Sequence, residues 1–544
     1  MTQSWIVVVP PLIVITLAAV TRRFLASLCV GIVAASLIVQ NFQVMPTLSY
    51  MMSRFLRTTE LANLFSWQAF LSSSTLFLCL FLILLGVLIV MIQRSGAAYA
   101  YSSFIIERIK TSKGIQGSSI LLSSLFFIDD YFSSLTVGAV MQPITDRFAI
   151  ARVKLALLVN VVAGPFAVVI PLSSWVAYVV GQLRSTGVSV TATKTTIVCV
   201  DPLYLYVASI PFMLYALIAI ASICYMVWRN TSYGIVATHE QIAQKTSNLF
   251  GGKTPVVRRT QQSTVTHGHI SDFIVPLMLL FVLAVGWILW TGQWWLMGGD
   301  NSFFDALQHS NIFASLCAGA AITVVVTTLL YLARRLLVIT DLGGIFKEGS
   351  VLLGRSIMML WLIWTLSGIL SSDLQTGTYL AGLMTGYMSP VFLPALFFGM
   401  AALTAVLMGT AWGTMGMLIP LAIRMLPAIV HMSVPLDIVS VPLLIPVIGA
   451  IVSGSLVGNH MSPVADIMLM SATSAGAYHL DLVKAQISFA IPTFCSSLLA
   501  FVAVGVLIGK YGVAFSALMA LAIGFVCNVI IMQFLHWLWG RLRR

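Results

Sequence analysis

Apolar stretches of about 20 residues recur along the whole chain, and each is long enough to cross a membrane as a helix. Only 8% of the 544 residues are charged and 59% are hydrophobic, whereas a soluble domain carries roughly 25% charged residues. The chain therefore has too few charged residues to cover the surface of a soluble protein. We expect an all-α polytopic membrane protein. The clearest candidate spans are residues 5–20, 24–41, 74–92, 203–228, 273–292, 311–333, 352–370, 485–508 and 512–535.

Basic residues predict the orientation, because Lys and Arg collect on the cytoplasmic side. Residues 114–142 have a basic cluster before them and another after them. A re-entrant hairpin keeps both clusters in the cytoplasm, whereas a single crossing would place one of them outside. Residues 391–426 are a second hairpin candidate, and the apolar stretches 153–183 and 436–472 are interrupted by Gly, Pro and polar residues. With two hairpins, the chain is expected to cross the membrane about eleven times. The basic pair Arg22 and Arg23 predicts that the N-terminus lies outside, and the cluster Arg541, Arg543 and Arg544 predicts that the C-terminus lies inside.

The order of these segments repeats. Residues 1–228 and 273–510 each contain three spans, an interfacial stretch, a hairpin, a discontinuous helix and a further span, but the two series start on opposite sides. Residues 229–272 form a polar linker that we expect in the cytoplasm, and residues 511–544 add a helix and a basic tail. Inverted repeats with broken helices are typical of secondary transporters, whose binding site lies at the midplane between the halves.

Acidic residues inside apolar segments are the first functional candidates. Asp129 and Asp130 lie in the middle of the first hairpin, and Asp466 lies in the second interrupted stretch. A carboxylate at the bilayer centre costs at least ~2.5–3.5 kcal/mol, so it normally faces a cavity or a partner. Alternatively, the hairpin pair reaches cytoplasmic water or pairs with Lys154. Neighbours on a helix point about 100° apart, so we expect one of the two aspartates to face a cavity.

Polar residues at the two interruptions are candidate ligands. The helix must break around Pro463, because proline lacks a backbone donor and clashes with the preceding turn. The carbonyl groups freed by the break, together with Asn459, Ser462 and Asp466, are hard oxygen donors that suit a small cation. A locally capped Pro kink is the alternative. His460 is either a proton relay or a packing histidine.

The first interruption contains Ala163-Gly164-Pro165 and Pro171. It contributes three neutral oxygen ligands, Asn160, Ser173 and Ser174. If the two halves are inverted repeats, these residues should lie opposite residues 459–466. The second hairpin adds the hydroxyls of Thr410 and Thr414 beside Gly409 and Gly413. Helix packing by small residues is the alternative there.

Other classes of function lack their motifs. The formal charge of +12 comes from short basic clusters between spans, as topology signals do, so we expect no nucleic-acid partner. No Walker lysine follows a Gly-rich loop, and His239-Glu240 lacks the second histidine of a metalloprotease motif. We expect no enzyme activity and no cofactor apart from transported Na+ and H+. A passive channel is a further alternative, but two breaks with hairpins favour gating from both sides.

At these motifs the sequence resembles the NhaC-type sodium/proton antiporters of the ion transporter superfamily. The matching stretches are FFIDDYFSSLTVGAVMQPITDR (126–147), KLALLVNVVAGPFAVVIPLSSW (154–175), GTAWGTMGMLIP (409–420) and GNHMSPVADIMLMSA (458–472). The resemblance implies secondary transport, homodimers, an ion site at Asp129, Asp130, Ser462 and Asp466, and supporting contacts from Ser173, Thr410 and Thr414. The chain departs from the family at Asn160, where aspartate is usual, and in lacking a pair of threonines after Asp466.

These observations predict a multi-pass protein, in the inner membrane if the source is bacterial, that exchanges Na+ for H+ by alternating access. We take Asp129, Ser462 and Asp466 as candidate Na+ ligands, since Na+ binds the deprotonated carboxylates and protonation expels it. The alternative is a Na+- or H+-coupled carrier of an amino acid or organic acid, with Trp175, Trp412 and Met461 lining a larger pocket.

Overall fold

The computed structural model describes residues 5–21, 23–97, 100, 108–171, 173–192, 196–254, 269–301, 306, 310–376, 379, 389–430, 432–463 and 465–542. Arg22, Arg543 and Arg544, which entered the orientation argument, lie outside the described residues.

The first half of the chain is almost entirely helical. Its helices are α1 (Val9–Thr21), α2 (Phe24–Val39), α3 (Val44–Thr59), α4 (Trp67–Ser72), α5 (Ser74–Arg94), α6 (Ser112–Leu125), α7 (Asp130–Arg147), α8 (Arg152–Val169), α9 (Ser174–Ser185), α10 (Pro202–Ser209) and α11 (Leu214–Arg229). Short turns of 3₁₀ helix cover Trp5–Val8, Leu61–Phe65 and Ile210–Phe212.

The second half follows the same pattern. Its helices are α12 (Gly234–Thr246), α13 (Ile270–Thr291), α14 (Ile312–Ala333), α15 (Ile339–Gly368), α16 (Leu393–Met408), α17 (Ala411–Val430), α18 (Leu444–Met461), α19 (Asp466–Ser474), α20 (His479–Tyr511) and α21 (Val513–Leu542). Turns of 3₁₀ helix cover Trp295–Met297 and Pro390–Phe392, and a π turn covers Ile369–Asp373. A small parallel sheet joins β1 (Val188–Ser189), β2 (Val198–Cys199) and β3 (Leu436–Asp437).

Helix length and composition confirm the prediction of an all-α polytopic membrane protein. Within the described residues, ten helices are long and apolar enough to cross a membrane, or up to eleven if the pair α2 and α3, bent by 119°, counts as one span. Both arms of the second hairpin, α16 and α17, meet this criterion. Span boundaries differ from expectation most clearly in two places. The chain from Pro202 to Arg229 is divided at residues 210–213, and the span expected over 352–370 begins at Ile339.

The two hairpins and the two discontinuous helices form the centre of the molecule. In the first half, α6 and α7 pack against α8; in the second half, α16 packs against α18. The halves meet where α7 and α8 pack on α19 and where α9 packs on α17. The hairpins and breaks therefore converge on one buried region, as the repeated order of segments predicts.

Both helix breaks lie at prolines that the sequence analysis named, Pro171 and Pro463, but the glycine-rich and polar runs before them stay helical. The Ala163-Gly164-Pro165 run is inside α8, and residues 458–461 are the last turn of α18. The helices end instead at Ile170 (φ −88°, ψ 118°) and Ser462 (φ −78°, ψ 120°), each of which directly precedes a proline. Steric clash with the proline ring disfavours helical geometry in the preceding residue, which fixes both break points.

Close helix packing explains the small residues of the second hairpin and its neighbour. A Cβ atom on Gly454 would lie 2.5 Å from the Phe398 carbonyl oxygen, and one on Gly458 would lie 2.4 Å from the Ala405 Cβ. Helices α16 and α18 are therefore in backbone contact. The hairpin itself turns at Gly409, whose φ of +72° is accessible to glycine without strain.

The amino-terminal part of the polar linker is folded onto the helical bundle. Lys154 of α8 is fully buried and forms an ion pair with Glu240 of α12. Asp481 at the start of α20 accepts hydrogen bonds of 2.7 Å from Lys253. The linker therefore connects a helix of the first half with a helix of the second.

Candidate functional site

The tip of the first hairpin holds two buried carboxylates. Asp129 and Asp130 are each 1% exposed, and Asp130 begins α7. The Ser174 hydroxyl donates to Asp129 Oδ2 over 2.9 Å, and the Ser174 amide donates to the Ile128 carbonyl over 2.8 Å. Asp130 Oδ1 accepts from the Tyr131 amide over 3.1 Å. The hairpin tip is thus fastened to the first helix break.

A permanent pair with Lys154 was one alternative for these aspartates. Lys154 instead reaches Glu240 and lies 3.4 Å from the Ser232 hydroxyl. That alternative is therefore wrong. Burial also argues against aspartates that extend into cytoplasmic water, because their side chains are inside the packed protein.

Asn160 joins the two discontinuous helices. Its Nδ2 donates to the Asn459 carbonyl over 3.5 Å, and its Oδ1 accepts from the Ser471 hydroxyl over 3.3 Å. The Met468 sulfur is 3.7 Å from the same Nδ2. One neutral side chain in α8 therefore contacts the end of α18 and the face of α19, which agrees with the expected position of Asn160 opposite residues 459–466.

The second break combines buried polar atoms with a half-buried carboxylate. The Ser462 hydroxyl is fully buried and has no hydrogen-bond partner among the described residues. His460, two residues earlier in the chain and also fully buried, shares a 2.8 Å hydrogen bond between its Nδ1 and Tyr215 Oη. Asp466 begins α19, where the positive end of the helix dipole favours a negative charge. Asn459 is 6% exposed and contributes its carbonyl to Asn160.

Three of the predicted supporting hydroxyls have local partners. Ser173 caps α9 by accepting from the Val176 amide over 3.3 Å and also donates to the Ala167 carbonyl. Thr410 accepts from the Gly413 amide over 3.3 Å, while the Thr414 hydroxyl donates to the Thr410 carbonyl over 3.0 Å. These hydroxyls shape the first break and the second hairpin in the structure, and their contact with an ion stays a prediction.

Further hydroxyls near the aspartates were not singled out from the sequence. Ser133 and Ser134 are fully buried, and neither side-chain oxygen has a partner in the described part of the chain; the same holds for Thr136, which is 2% exposed. Ser134 lies one helical turn after Asp130, so both can face the same side of α7. The spacing in DDYFSS was the available signal. Unpaired buried hydroxyls are costly in apolar surroundings, which makes them candidate ligands for a bound cation or water.

Aromatic side chains connect the first break with the tip of the second hairpin. The ring centroids of Trp175 and Trp412 are 6.0 Å apart, and those of Tyr178 and Trp412 are 4.9 Å apart. The Tyr178 hydroxyl donates to the Trp412 carbonyl over 2.7 Å. The start of α9 therefore contacts the carboxylates through Ser174 and the tip of the second hairpin through Trp175 and Tyr178.

The polar atoms gathered in this region are oxygen donors and not the clustered ligands of a transition-metal site. The described residues contain no group of three or more His, Cys, Asp or Glu side chains placed to hold a metal ion. The polar groups that do converge are carboxylate, amide and hydroxyl oxygens, which are hard ligands.

Comparison with known proteins identifies the family. The sequence pattern of the Na+/H+ antiporter family matches residues 166–506. The chain belongs to this family. An uncharacterized protein of Haemophilus influenzae is 30% identical over 504 residues, which covers 92% of this chain and 90% of that protein. The resemblance to sodium/proton antiporters seen in the sequence is thereby confirmed.

Solved transporter structures were compared with the fold of this protein. The YdaH transporter of Alcanivorax borkumensis superposes with a TM-score of 0.53 at 12% identity, over 90% of this chain and 98% of that chain. MtrF of Neisseria gonorrhoeae gives a TM-score of 0.42 at 12% identity, over 84% of this chain and 83% of that chain. The likeness to YdaH extends to the fold alone. Family and fold together make the protein a secondary transporter and a multi-pass integral membrane protein.

Proposed function

We propose that the protein exchanges Na+ for H+ by alternating access, with both ions competing for the buried carboxylates. The observation that carries this proposal is the pair Asp129 and Asp130, fully enclosed at a hairpin tip and followed by unpaired hydroxyls on α7. Burial disfavours the charged form of a carboxyl group, so binding of a proton or of a compensating cation stabilises the buried pair. Na+ bound by deprotonated carboxylates is released when they are protonated.

The second break is the proposed counterpart. Ser462 and Asp466 together with Asp129 are the candidate Na+ ligands, and the Asn160 bridge keeps the two discontinuous helices in register. His460 is proposed as a relay through its bond to Tyr215. Movement of one bundle relative to the other would expose this region to each side of the membrane in turn.

Purified protein in liposomes tests the proposal. An imposed Na+ gradient is expected to drive proton movement, read with an internal pH dye, and K+ with valinomycin controls the membrane potential. Asp129→Asn and Asp466→Asn are expected to abolish the signal. Asp300→Asn removes an exposed carboxylate and is the matched control. Wild-type exchange rates in both site variants would overturn the assignment.

A second candidate function is Na+- or H+-coupled transport of an amino acid or organic acid. It is favoured by the neutral Asn160, since a family position that usually carries a titratable carboxylate here makes structural hydrogen bonds. Uptake of labelled solutes with and without Na+ separates the two functions. Solute uptake that depends on Na+, without Na+-driven proton movement, would favour the second.

The orientation and the oligomeric state belong to the same proposal. We place the N-terminus outside, the C-terminus and the linker inside, and two copies in a homodimer. Membrane-impermeant thiol labelling of single cysteines introduced at Asp300 and Lys253 tests the orientation, with labelling from outside expected only at Asp300. Mass measurement of the protein in nanodiscs tests the dimer.

A further inference from the structure

The carbonyl group of Pro463, in the second break, is held by a histidine from another helix. His479 Nε2 lies 2.8 Å from the Pro463 carbonyl oxygen. A carbonyl oxygen can only accept a hydrogen bond, so Nε2 carries the hydrogen and donates it. His479 Nδ1 is buried and has no partner among the described residues. The bond to Pro463 is therefore the hydrogen bond that this ring makes in the described part of the chain.

Pro463 lies in the chain between two of the proposed Na+ ligands, Ser462 and Asp466. The Ser462 hydroxyl is fully buried and has no hydrogen-bond partner among the described residues, whereas Pro463 is exposed. The hydrogen bond from His479 therefore reaches the accessible part of the break, while the hydroxyl that is proposed to bind the ion is enclosed.

The break receives side-chain hydrogen bonds from both halves of the chain. Asn160 of α8 donates to the Asn459 carbonyl over 3.5 Å, which lies before Ser462, and His479 of α20 donates to the Pro463 carbonyl, which lies after it. Proline has no N–H group and interrupts the helical series of hydrogen bonds, so carbonyl groups at a break need partners from elsewhere. These two side chains supply such partners.

The start of α20 is itself fastened to the linker. His479 is the first residue of this helix. Tyr478, directly before it, donates from its Oη to the Thr254 carbonyl over 2.8 Å. Asp481, two residues after it, is buried and accepts hydrogen bonds of 2.7 Å from Lys253. The imidazole that holds the Pro463 carbonyl is therefore carried by backbone that is anchored on both sides.

We propose that His479 is a positioning residue for the Na+ site. It holds the Pro463 carbonyl and thereby fixes the loop that joins Ser462 to Asp466, so that both ligands are in place before the ion binds. A group that orients ligands without touching the ion raises affinity, because less conformational freedom is lost on binding. This inference rests on the proposed Na+ exchange and adds a residue to its site.

A purely structural cap predicts a different outcome. Such a cap would stabilise the fold, and its removal would lower the amount of active protein or the maximum rate. Removal of a positioning residue instead raises the Na+ concentration at which the site fills. The apparent KM for Na+ and the maximum rate therefore separate the two roles.

Na+-driven proton movement is measured on the full-length protein in liposomes over a range of Na+ concentrations. His479→Ala is expected to raise the apparent KM for Na+ about fivefold, as for the loss of one neutral hydrogen bond, and to change the maximum rate by less than about twofold. His479→Gln keeps an N–H donor at a similar distance from the backbone and should restore the wild-type KM. His479→Asn is shorter, does not reach the carbonyl, and should resemble His479→Ala.

A second histidine provides the matched control. His536 Nδ1 shares a 2.8 Å hydrogen bond with the Ser232 carbonyl oxygen, so His536→Ala removes the same kind of bond far from the proposed ligands in the chain. This variant should keep the wild-type KM for Na+. Size-exclusion chromatography confirms that each variant is folded.

Hydrogen exchange read by mass spectrometry reports on the break without requiring transport. The Ser462 amide donates to the Gly458 carbonyl over 2.9 Å, and the Ala465 amide donates to the Ser462 carbonyl over 3.2 Å. Both amides should exchange faster in His479→Ala than in the wild type, and at the wild-type rate in His479→Gln. Na+ in place of choline should slow this exchange, and His479→Ala should need about fivefold more Na+ for half of the protection.

Unchanged exchange and an unchanged KM in His479→Ala would overturn the proposal. Faster exchange with an unchanged Na+ requirement would also overturn it, because His479 would then be a structural cap only. If His479→Gln restores nothing that His479→Ala loses, the hydrogen bond is not the cause and the proposal falls.

The same measurements separate this proposal from the antiport proposal. Protection by Na+ without Na+-driven proton movement in the wild type overturns antiport alone. Normal antiport with a wild-type Na+ requirement in His479→Ala overturns the role of His479 alone. Absence of both protection and proton movement in the wild type overturns both.

Discussion

The Ser174 hydroxyl donates a 2.9 Å hydrogen bond to Asp129, and this contact joins the tip of the first hairpin to the start of α9. Both groups are buried, with Ser174 fully enclosed and Asp129 1% exposed. Any movement that separates the hairpin from the broken helix must break this bond. In the proposed mechanism, this bond therefore couples the carboxylate that would exchange an ion to the helix break that would move.

Ser174→Ala should slow exchange without unfolding the protein. A hydrogen bond to a charged group is worth about 1.5–3 kcal/mol, or roughly a factor of ten or more in an equilibrium. We expect Na+-driven proton movement in liposomes to fall by about tenfold. Ser124→Ala, which removes a hydroxyl bonded only to the Leu121 carbonyl of the same hairpin, should leave the rate unchanged. Equal rates in the two variants would remove Ser174 from the site.

Asn160→Asp should make the contact between the discontinuous helices depend on pH. A protonated aspartate can still donate to the Asn459 carbonyl, whereas an ionised one places negative charge against that oxygen. The unfolding temperature of the variant relative to the wild type should therefore fall as the pH rises from about 5 to about 8, because burial disfavours the charged form. Scanning fluorimetry across this range measures the trend. A constant difference, as expected for an aspartate that is ionised and paired with a cation over this whole pH range, would contradict it.

The Lys154–Glu240 pair should show an asymmetric cost. Glu240→Leu leaves a fully buried ammonium group without its partner, and we expect a loss of about 3–5 kcal/mol of unfolding free energy. Lys154→Met leaves a carboxylate that is 17% exposed and can reach water, so its cost should be smaller. The double variant should recover most of the loss from Glu240→Leu. Thermal and denaturant unfolding in detergent measure all three, and additive effects would show that the ion pair is not the source.

Gly458→Ala should destabilise the packing of α18 on α16. The added Cβ would lie 2.4 Å from the Ala405 Cβ and would also meet Ala405 backbone atoms, which cannot move aside as a flexible side chain can. We expect a cost of about 1–3 kcal/mol. Gly399→Ala on α16 is the control, because no atom lies within 4 Å of its added Cβ. That variant should be neutral or slightly stabilised, since alanine favours a helix by about 1 kcal/mol over glycine.

Part of the site follows from sequence rules alone. Asp129 and Asp130 stand out because charge is rare in apolar segments, and the structure buries both. The order of segments also predicted that Asn160 would face residues 459–466, and the bond to Asn459 agrees. The breaks cover fewer residues than predicted, because a proline directly restricts only the residue before it and not the whole glycine-rich or polar run beside it.

Other parts required the fold. Ser173 and Thr410 have the residue types of ion ligands, but in the structure they cap helices, and which partner a hydroxyl chooses depends on geometry that spacing does not contain. Lys154 and Glu240 are far apart in the chain, and only the docking of α12 on α8 makes them partners. A cavity lined by Arg57, Gln182 and Trp364, among others, brings together residues from five separate stretches of sequence.

The sequence by itself determined that this is a membrane protein, because the few charged residues cannot form a water-exposed surface around so many apolar ones. It also determined the order of hairpins and broken helices, because a proline removes a backbone donor and restricts its neighbour wherever it occurs. Only the tertiary structure decided which polar groups of the described residues are paired and which are left unpaired. Hydrogen bonds act over about 3 Å, and distances of that size between remote residues are set by packing and not by position in the chain.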